Sequence, residues 1–171
     1  KQRVLIKGCE SEWKNVTSGV PQGSVLGPLL FVLYINDLPD TITHQIKMYA
    51  DDSKIIGIIK SASDISSLQA DIDRAVGVSF TWLMHFNVEK CKIMHVGHSH
   101  RITHQYSMRH IDGTRRPLEV TKVERDLGVL VSDDLKVRAQ VEKAASSANH
   151  MLSRLRKAFR SRSLILWRTL Y

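Results

Sequence analysis

The sequence predicts an α+β fold: antiparallel strands with packed helices over residues 1–132, then an all-helical, strongly basic segment over 133–171. Three observations carry this prediction. Apolar and β-branched runs flank Tyr49-Ala50-Asp51-Asp52, the pattern of two strands joined by a tight turn. Apolar residues recur every three to four positions from Leu68 to Phe80, and again from Val137 to Leu155, which is helical spacing. The formal net charge of +8 lies wholly after residue 135, where nine Lys and Arg face Glu142 alone.

Taken in order, Arg3–Lys7 and Trp13–Thr17 read as short strands around a turn at Gly8–Ser11. Ser18–Ser24 is a Gly/Pro-rich loop that regular structure would not tolerate. A helix follows from Val25 or Pro28 to Leu38, with Pro28 acceptable in its first turn and Pro39 ending it. Its apolar residues wrap most of the way round, which predicts burial. After the hairpin, Ser63 is the expected N-cap of a second long helix ending near His85–Asn87. Strands are expected at Cys91–Val96, Tyr106–Met108, Val123–Leu127 and Gly128–Val131, with a His-containing loop among them. From Asp133 the chain reads as helical, with a break at Ser161–Ser163 before a last helix, Leu164–Tyr171. That helix is still apolar where the sequence stops, as if cut within a structure.

Only two cysteines occur, Cys9 and Cys91, too few for a disulfide framework, which points to a reducing compartment. No apolar run approaches the roughly 18 residues of a membrane span, and the N-terminus does not resemble a signal peptide. The expectation is a soluble intracellular protein, nuclear or cytoplasmic, without a membrane partner.

Asp51 and Asp52 are the first candidates for chemistry. Adjacent carboxylates between apolar strands repel one another, and a divalent cation relieves that repulsion. Hard oxygen donors of this kind suit Mg²⁺ at phosphate substrates; the competing reading is a solvated acidic turn. Ser18-Gly19-Val20-Pro21-Gln22-Gly23-Ser24-Val25-Leu26-Gly27-Pro28 is the most specific string in the chain. Gly19 and Gly23 permit close backbone approach, Pro21 stiffens the turn, and Gln22 adds an amide that both donates and accepts. Together they suit a surface for a nucleotide or template base. The C-terminal basic segment suits a nucleic-acid backbone. Five of the eight histidines fall between His95 and His110, and Cys91, His95, His98 and His100 can be written as a zinc-like set. A strand running into a loop would spread them over different faces, so a polar loop is the preferred reading.

These residues closely resemble the reverse transcriptases of non-LTR (LINE-type, jockey-like) retrotransposons. Ser18–Asp37 is similar to their motif B and Tyr49–Asp52 to the motif C catalytic box. Phe86-Asn87-Val88-Glu89-Lys90-Cys91-Lys92 is similar to motif D, and Glu124–Val129 to motif E, the primer grip. The motifs stand in the family's order. The resemblance implies a right-hand polymerase: a partial palm over 1–132 and a partial helical thumb over 133–171. It implies DNA synthesis from an RNA template and DNA primer with dNTP as substrate, and two Mg²⁺ (or Mn²⁺) ions held by Asp51 and Asp52. Gly19, Pro21, Gln22, Gly23 and Tyr49 would meet nucleotide and template, and Lys90, with Lys92 as the alternative, the leaving pyrophosphate. Leu127 and Gly128 would meet the primer end, with a plain β-bulge as the other reading of Gly128. Lys143, Arg154, Arg156, Lys157 and Arg160 would meet the nucleic-acid backbone.

One departure stands against the agreement. The family's motif A supplies a third metal-binding carboxylate, and residues 1–17 contain only Glu10 and Glu12, neither matching that motif. The fingers are absent as well. The expectation is an RNA-directed DNA polymerase by family whose 171 residues alone do not polymerise. The alternative is a catalytically inactive nucleic-acid-binding remnant.

Overall fold

Leu68, Ile72, Ala75 and Val76 fall on one face of a single helix, and against that face the core of the first part of the chain is built. The computed structural model describes residues 1–16, 23, 25–97, 104–159 and 163–170. In chain order the strands are β1 (Leu5–Ile6), β2 (Cys9–Glu10), β3 (Gln45–Tyr49), β4 (Asp52–Ile56), β5 (Lys92–Ile93), β6 (Ser107–Arg109), β7 (Arg115–Pro117), β8 (Glu119–Val120), β9 (Val123–Asp126) and β10 (Val129–Ser132). The helices are α1 (Leu26–Ile35), α2 (Leu38–Thr41), α3 (Ala62–Thr81), α4 (Arg138–Ala158) and α5 (Leu164–Leu170), with a 3₁₀ turn at Val88–Lys90. Helices and small two-stranded sheets make an α+β arrangement, and the hairpins β1–β2, β3–β4, β6–β7 and β9–β10 are all antiparallel. Packing divides the chain into two units, Lys1–Ile93 with Arg101–Glu119, and Met94–His100 with Val120–Tyr171. No helix among the described residues is long and apolar enough to cross a membrane.

In the first unit, Leu68, Ile72 and Val76 of α3 pack with Val88, Tyr106, Met108 and Leu118. Ala75 packs with Leu38 and Ile42, and the hairpin side chains Ile46, Met48 and Ile55 lean on that second cluster. Each large apolar side chain buried this way contributes about 1.5–3 kcal/mol relative to exposure. Gln69 joins α3 to β6 by a two-point clamp: its amide nitrogen donates to the Ser107 carbonyl at 2.8 Å, and its oxygen accepts the Ser107 amide at 3.0 Å. At the start of α3 the N-cap is Ser61, two residues before the expected Ser63. Asp64 accepts the backbone amides of Lys60 and Ser61 and the Ser61 hydroxyl. These bonds hold its carboxyl below the usual range, the Lys60 amide contributing most.

Four more sequence expectations change in this unit. The N-terminal hairpin turns at Lys7–Gly8, both at positive φ, so its second strand is Cys9–Glu10; of the expected Trp13–Thr17 strand Lys14 forms an isolated antiparallel bridge with Gln2, and Thr17 lies outside the described residues. Trp13 instead carries Arg3 over its ring at 4.8 Å. Pro39 opens the short helix α2 instead of merely closing the preceding one, because a proline lacks the N–H that a first turn leaves unused. Helix α1 is not buried: Gly27 alone is, while Leu26, Leu29, Val32 and Leu33 are each more than half exposed. An apolar circumference buries itself only when neighbours surround it, and the described residues do not enclose this one. Finally, α3 ends at Thr81, short of His85–Asn87, because Leu83 turns to a φ of 54°.

In the second unit, β9 and β10 meet at a two-residue turn and α4 follows. The Leu130 amide donates to the Gln140 side chain at 2.9 Å, joining β10 to the helix. Helix α4 begins later than Asp133, since the Ser132 hydroxyl and the Lys136 amide both donate to the Asp134 carboxylate, at 2.5 and 2.9 Å, and Leu135 sits at a φ of 56°. No residue of α4 is buried.

Candidate active site

The hairpin β3–β4 follows directly from its sequence. Ile46 and Met48 alternate with Gln45, Lys47 and Tyr49, and the apolar pair turns inward while the others stay exposed. The register runs from Gln45↔Ile56 through Lys47↔Lys54 to Tyr49↔Asp52, leaving Ala50 and Asp51 as the loop. Cross-strand partners share a face, so Asp52 stands on the exposed face with Tyr49, Lys47 and Lys54. Ala50 has a φ of 50°. A positive φ at the first loop position is what two-residue hairpin turns require, and Gly or Asn usually supplies it. Alanine there costs roughly 1–2 kcal/mol.

Both carboxylates are exposed. Among the described residues neither one forms a side-chain hydrogen bond or an ion pair, and no group of three His, Cys, Asp or Glu gathers around them or elsewhere. Two adjacent, exposed carboxylates are hard oxygen donors, and they fit a divalent cation that keeps part of its water shell. Tyr49 is 66% exposed beside them.

Lys90 is the last residue of the 3₁₀ turn after α3, and it is exposed. Its alternative, Lys92, is ion-paired with Glu119, while Glu89 on the other flank of Lys90 pairs with Arg116 at 3.3 Å. Cys91 between them is half-buried, its thiol pushed up by burial and donating to the Asn87 carbonyl at 3.3 Å. Leu127 and Gly128 form the turn between β9 and β10, at φ of 46° and 91°. Lys143, Arg154, Arg156 and Lys157 lie on α4, the last three exposed and Lys143 half-buried. Gly23 sits in a turn at a φ of 76°. Gly19, Pro21, Gln22, Arg160, His98 and His100 lie outside the described residues.

One important residue reads in the sequence merely as an acid on a helix. Asp71 is wholly buried in α3. Burial alone would raise its carboxyl. The backbone amides of Thr43 and His44, then the His44 ring and the Arg74 guanidinium, outweigh that and hold it well below the carboxylate range. A signal for it exists: Asp71 stands three residues after Leu68 and four before Ala75, inside the apolar stripe where a solvated acid does not belong.

The description "Reverse transcriptase (RNA-dependent DNA polymerase)" belongs to the family model that matches residues 2–153. The chain is 35% identical over 97 residues to the RNA-directed DNA polymerase from mobile element jockey of Drosophila melanogaster, and 34% identical over 102 residues to that of Drosophila funebris. These alignments cover 52% and 53% of this chain but 11% of each relative. A 25-residue stretch is 72% identical to the probable RNA-directed DNA polymerase from transposon X-element of Drosophila melanogaster, covering 15% of this chain and 3% of that protein. No solved structure matches. With motif-like strings in order and the carboxylates at a hairpin tip, the chain belongs to the reverse transcriptase family, alongside its non-LTR, jockey-like members.

Proposed function

We propose that this chain supplies the carboxylate hairpin and the primer-handling elements of an RNA-directed DNA polymerase, with a partial palm over 1–132 and a partial thumb over 133–171. One observation carries the reading: two adjacent exposed carboxylates at the tip of β3–β4, within a chain whose residues 2–153 match the reverse transcriptase model. Asp51 and Asp52 would hold divalent ions, Mg²⁺ or Mn²⁺. When bound, such ions activate the primer hydroxyl and neutralise the leaving phosphates. The primer 3′-oxygen attacks the α-phosphorus of the dNTP, and the bond to pyrophosphate breaks as the new one forms. The Lys90 ammonium neutralises or protonates that leaving group, a role supported by its exposure and by the engagement of Lys92 with Glu119. Tyr49, with Gly19, Pro21, Gln22 and Gly23, faces nucleotide and template. The Leu127–Gly128 turn approaches the primer end with little side-chain bulk at Gly128. Lys143, Arg154, Arg156, Lys157 and Arg160 contact phosphates of the RNA–DNA duplex.

The 171 residues alone do not catalyse extension, because the third carboxylate of such a site has no counterpart in residues 1–17. The test is templated primer extension on an RNA template with Mg²⁺ or Mn²⁺. The isolated chain is expected to match its Asp51→Ala/Asp52→Ala double variant. A jockey-like polymerase carrying this segment is expected to extend the primer and to lose at least 10³-fold in rate with the same substitutions, an order of magnitude set by electrostatic stabilisation at reacting phosphates. Extension by the isolated chain above the double variant overturns its inactivity. Full activity of the substituted polymerase sinks the assignment of the carboxylates.

A further inference from the structure

Asp71 is the one charged residue among the buried described residues, with none of its surface exposed. A carboxylate in that position is tolerated only with close compensation, and the compensation comes from one short stretch of chain and one neighbour on α3. The Thr43 amide donates to Oδ1 at 3.0 Å and the His44 amide to Oδ2 at 2.8 Å. The His44 Nδ1 lies 2.5 Å from Oδ2. Arg74, one turn along α3, pairs with Asp71 and also donates to the Thr43 hydroxyl at 2.7 Å. Thr43 and His44 stand between Ile42, the cap of α2, and Gln45, the first residue of β3. Two successive amides converging on one carboxylate form an anion nest, and here the nest lies at the base of the carboxylate hairpin.

The other strand is held against α3 as well. Gln45 pairs with Ile56, the last residue of β4, and Gly57 follows. A Cβ on Gly57 would come within 3.2 Å of both the His44 ring and a Leu68 methyl, so backbone and side chains already touch there. The base of the ribbon is thus gripped by α3 on both strands. The tip, four steps of register away at Tyr49↔Asp52, is exposed. A ribbon this short carries the direction of its base to its tip, about 13 Å distant at the rise of a β-strand. Charge-assisted hydrogen bonds to backbone amides are directional in a way that apolar contacts are not.

We propose that Asp71 is a positioning residue of the Asp51–Asp52 hairpin: by receiving the Thr43 and His44 amides it sets the direction in which β3 departs, and so where the two carboxylates stand. The proposal rests on the metal-binding reading of Asp51 and Asp52. It is tested on the 171-residue chain with Mn²⁺ alone as the probe, following paramagnetic broadening of the Ala50–Ser53 amide signals and amide exchange along β3 and, separately, β6–β7. Asp71→Asn keeps the shape but removes the charge and turns an N–H toward the donors. Its β6–β7 amides are expected to exchange as in the unaltered chain, while β3 amides exchange at least 10-fold faster and Mn²⁺ affinity at the tip falls at least 5-fold. Asp71→Glu, which restores the charge, is expected to recover part of that affinity. Should Asp71→Asn not fold, Arg74→Met removes a single partner from a half-exposed position and is expected to weaken Mn²⁺ binding two- to threefold. Unchanged Mn²⁺ affinity in whichever of these two variants folds overturns the positioning role and leaves the metal reading intact. No broadening at the tip of the unaltered chain, or broadening that survives Asp51→Ala, overturns the metal reading and the proposal with it.

Discussion

Ala50 holds a φ of 50° between Tyr49 and Asp51, a conformation that costs an L-residue about 1–2 kcal/mol and that glycine adopts freely. Ala50→Gly is therefore expected to raise the unfolding free energy by about 0.5–1 kcal/mol, the relief of strain exceeding the added freedom of the unfolded chain; urea unfolding at equilibrium measures it. Asp71 works the other way. Asp71→Ala leaves two part-buried backbone donors without their acceptor and is expected to cost about 2–4 kcal/mol at neutral pH. The same carboxylate makes stability depend on acid. Its folded pKa lies below its unfolded value of about 3.9, so its contribution is complete above that value and is lost as pH falls toward the folded pKa. Unfolding free energies measured from pH 6 to pH 2 are expected to fall below about pH 5, and to fall less steeply in Asp71→Ala. The apolar stripe of α3 singles Asp71 out in the sequence, but its partners do not follow from the chain. Thr43 and His44 lie 28 and 27 residues away, and only folding brings their amides to it.

At the scale of elements, turns decide which strands are legible. The hairpin at 45–56 can be read because alternation and a two-residue loop agree there. Of the β6–β7 hairpin only the first strand declares itself, although Asp112-Gly113 is a strong hairpin signal. Its polar second strand, Arg115–Pro117, has no apolar alternation to announce it. Asp112 accepts the Thr114 hydroxyl at 2.6 Å and the Thr114 amide at 2.8 Å, and these two bonds, with Arg116 beside them, hold its carboxyl below the usual range. The β1–β2 and β9–β10 turns share one design, a large residue and then a glycine, both at positive φ: Lys7–Gly8 and Leu127–Gly128. Nothing among the described residues stands within 4 Å of where a Cβ on Gly128 would lie, so conformation rather than crowding is what a substitution meets there. Gly128→Ala is expected to destabilise the second unit by about 1 kcal/mol, with faster amide exchange confined to β9 and β10. The burial expected of α1 fails for a different reason. Hydrophobicity states a preference for burial, and neighbours supply it.

Across the whole molecule, charge is distributed as unevenly as the sequence implies, with Arg154, Arg156 and Lys157 exposed near the end of α4. If they line a nucleic-acid backbone, RNA–DNA hybrid affinity falls steeply with salt. Neutralising them together with Arg160 is expected to reduce the slope of log K against log salt by about one for each phosphate no longer neutralised. Hybrid binding measured over a range of about 50 to 300 mM salt checks this, and an unchanged slope in the quadruple variant removes the thumb assignment. The sequence by itself determined the family, the carboxylate pair, the helical periods of α3 and α4, and the location of the positive charge, because each is carried by residues close together in the chain. Only the tertiary structure decided that α1 stays exposed, that Lys92 is engaged with Glu119 while its neighbour Lys90 stands exposed, and that Asp71 receives the base of β3. Those outcomes depend on side chains meeting across long stretches of sequence, and local pattern holds no record of which ones meet.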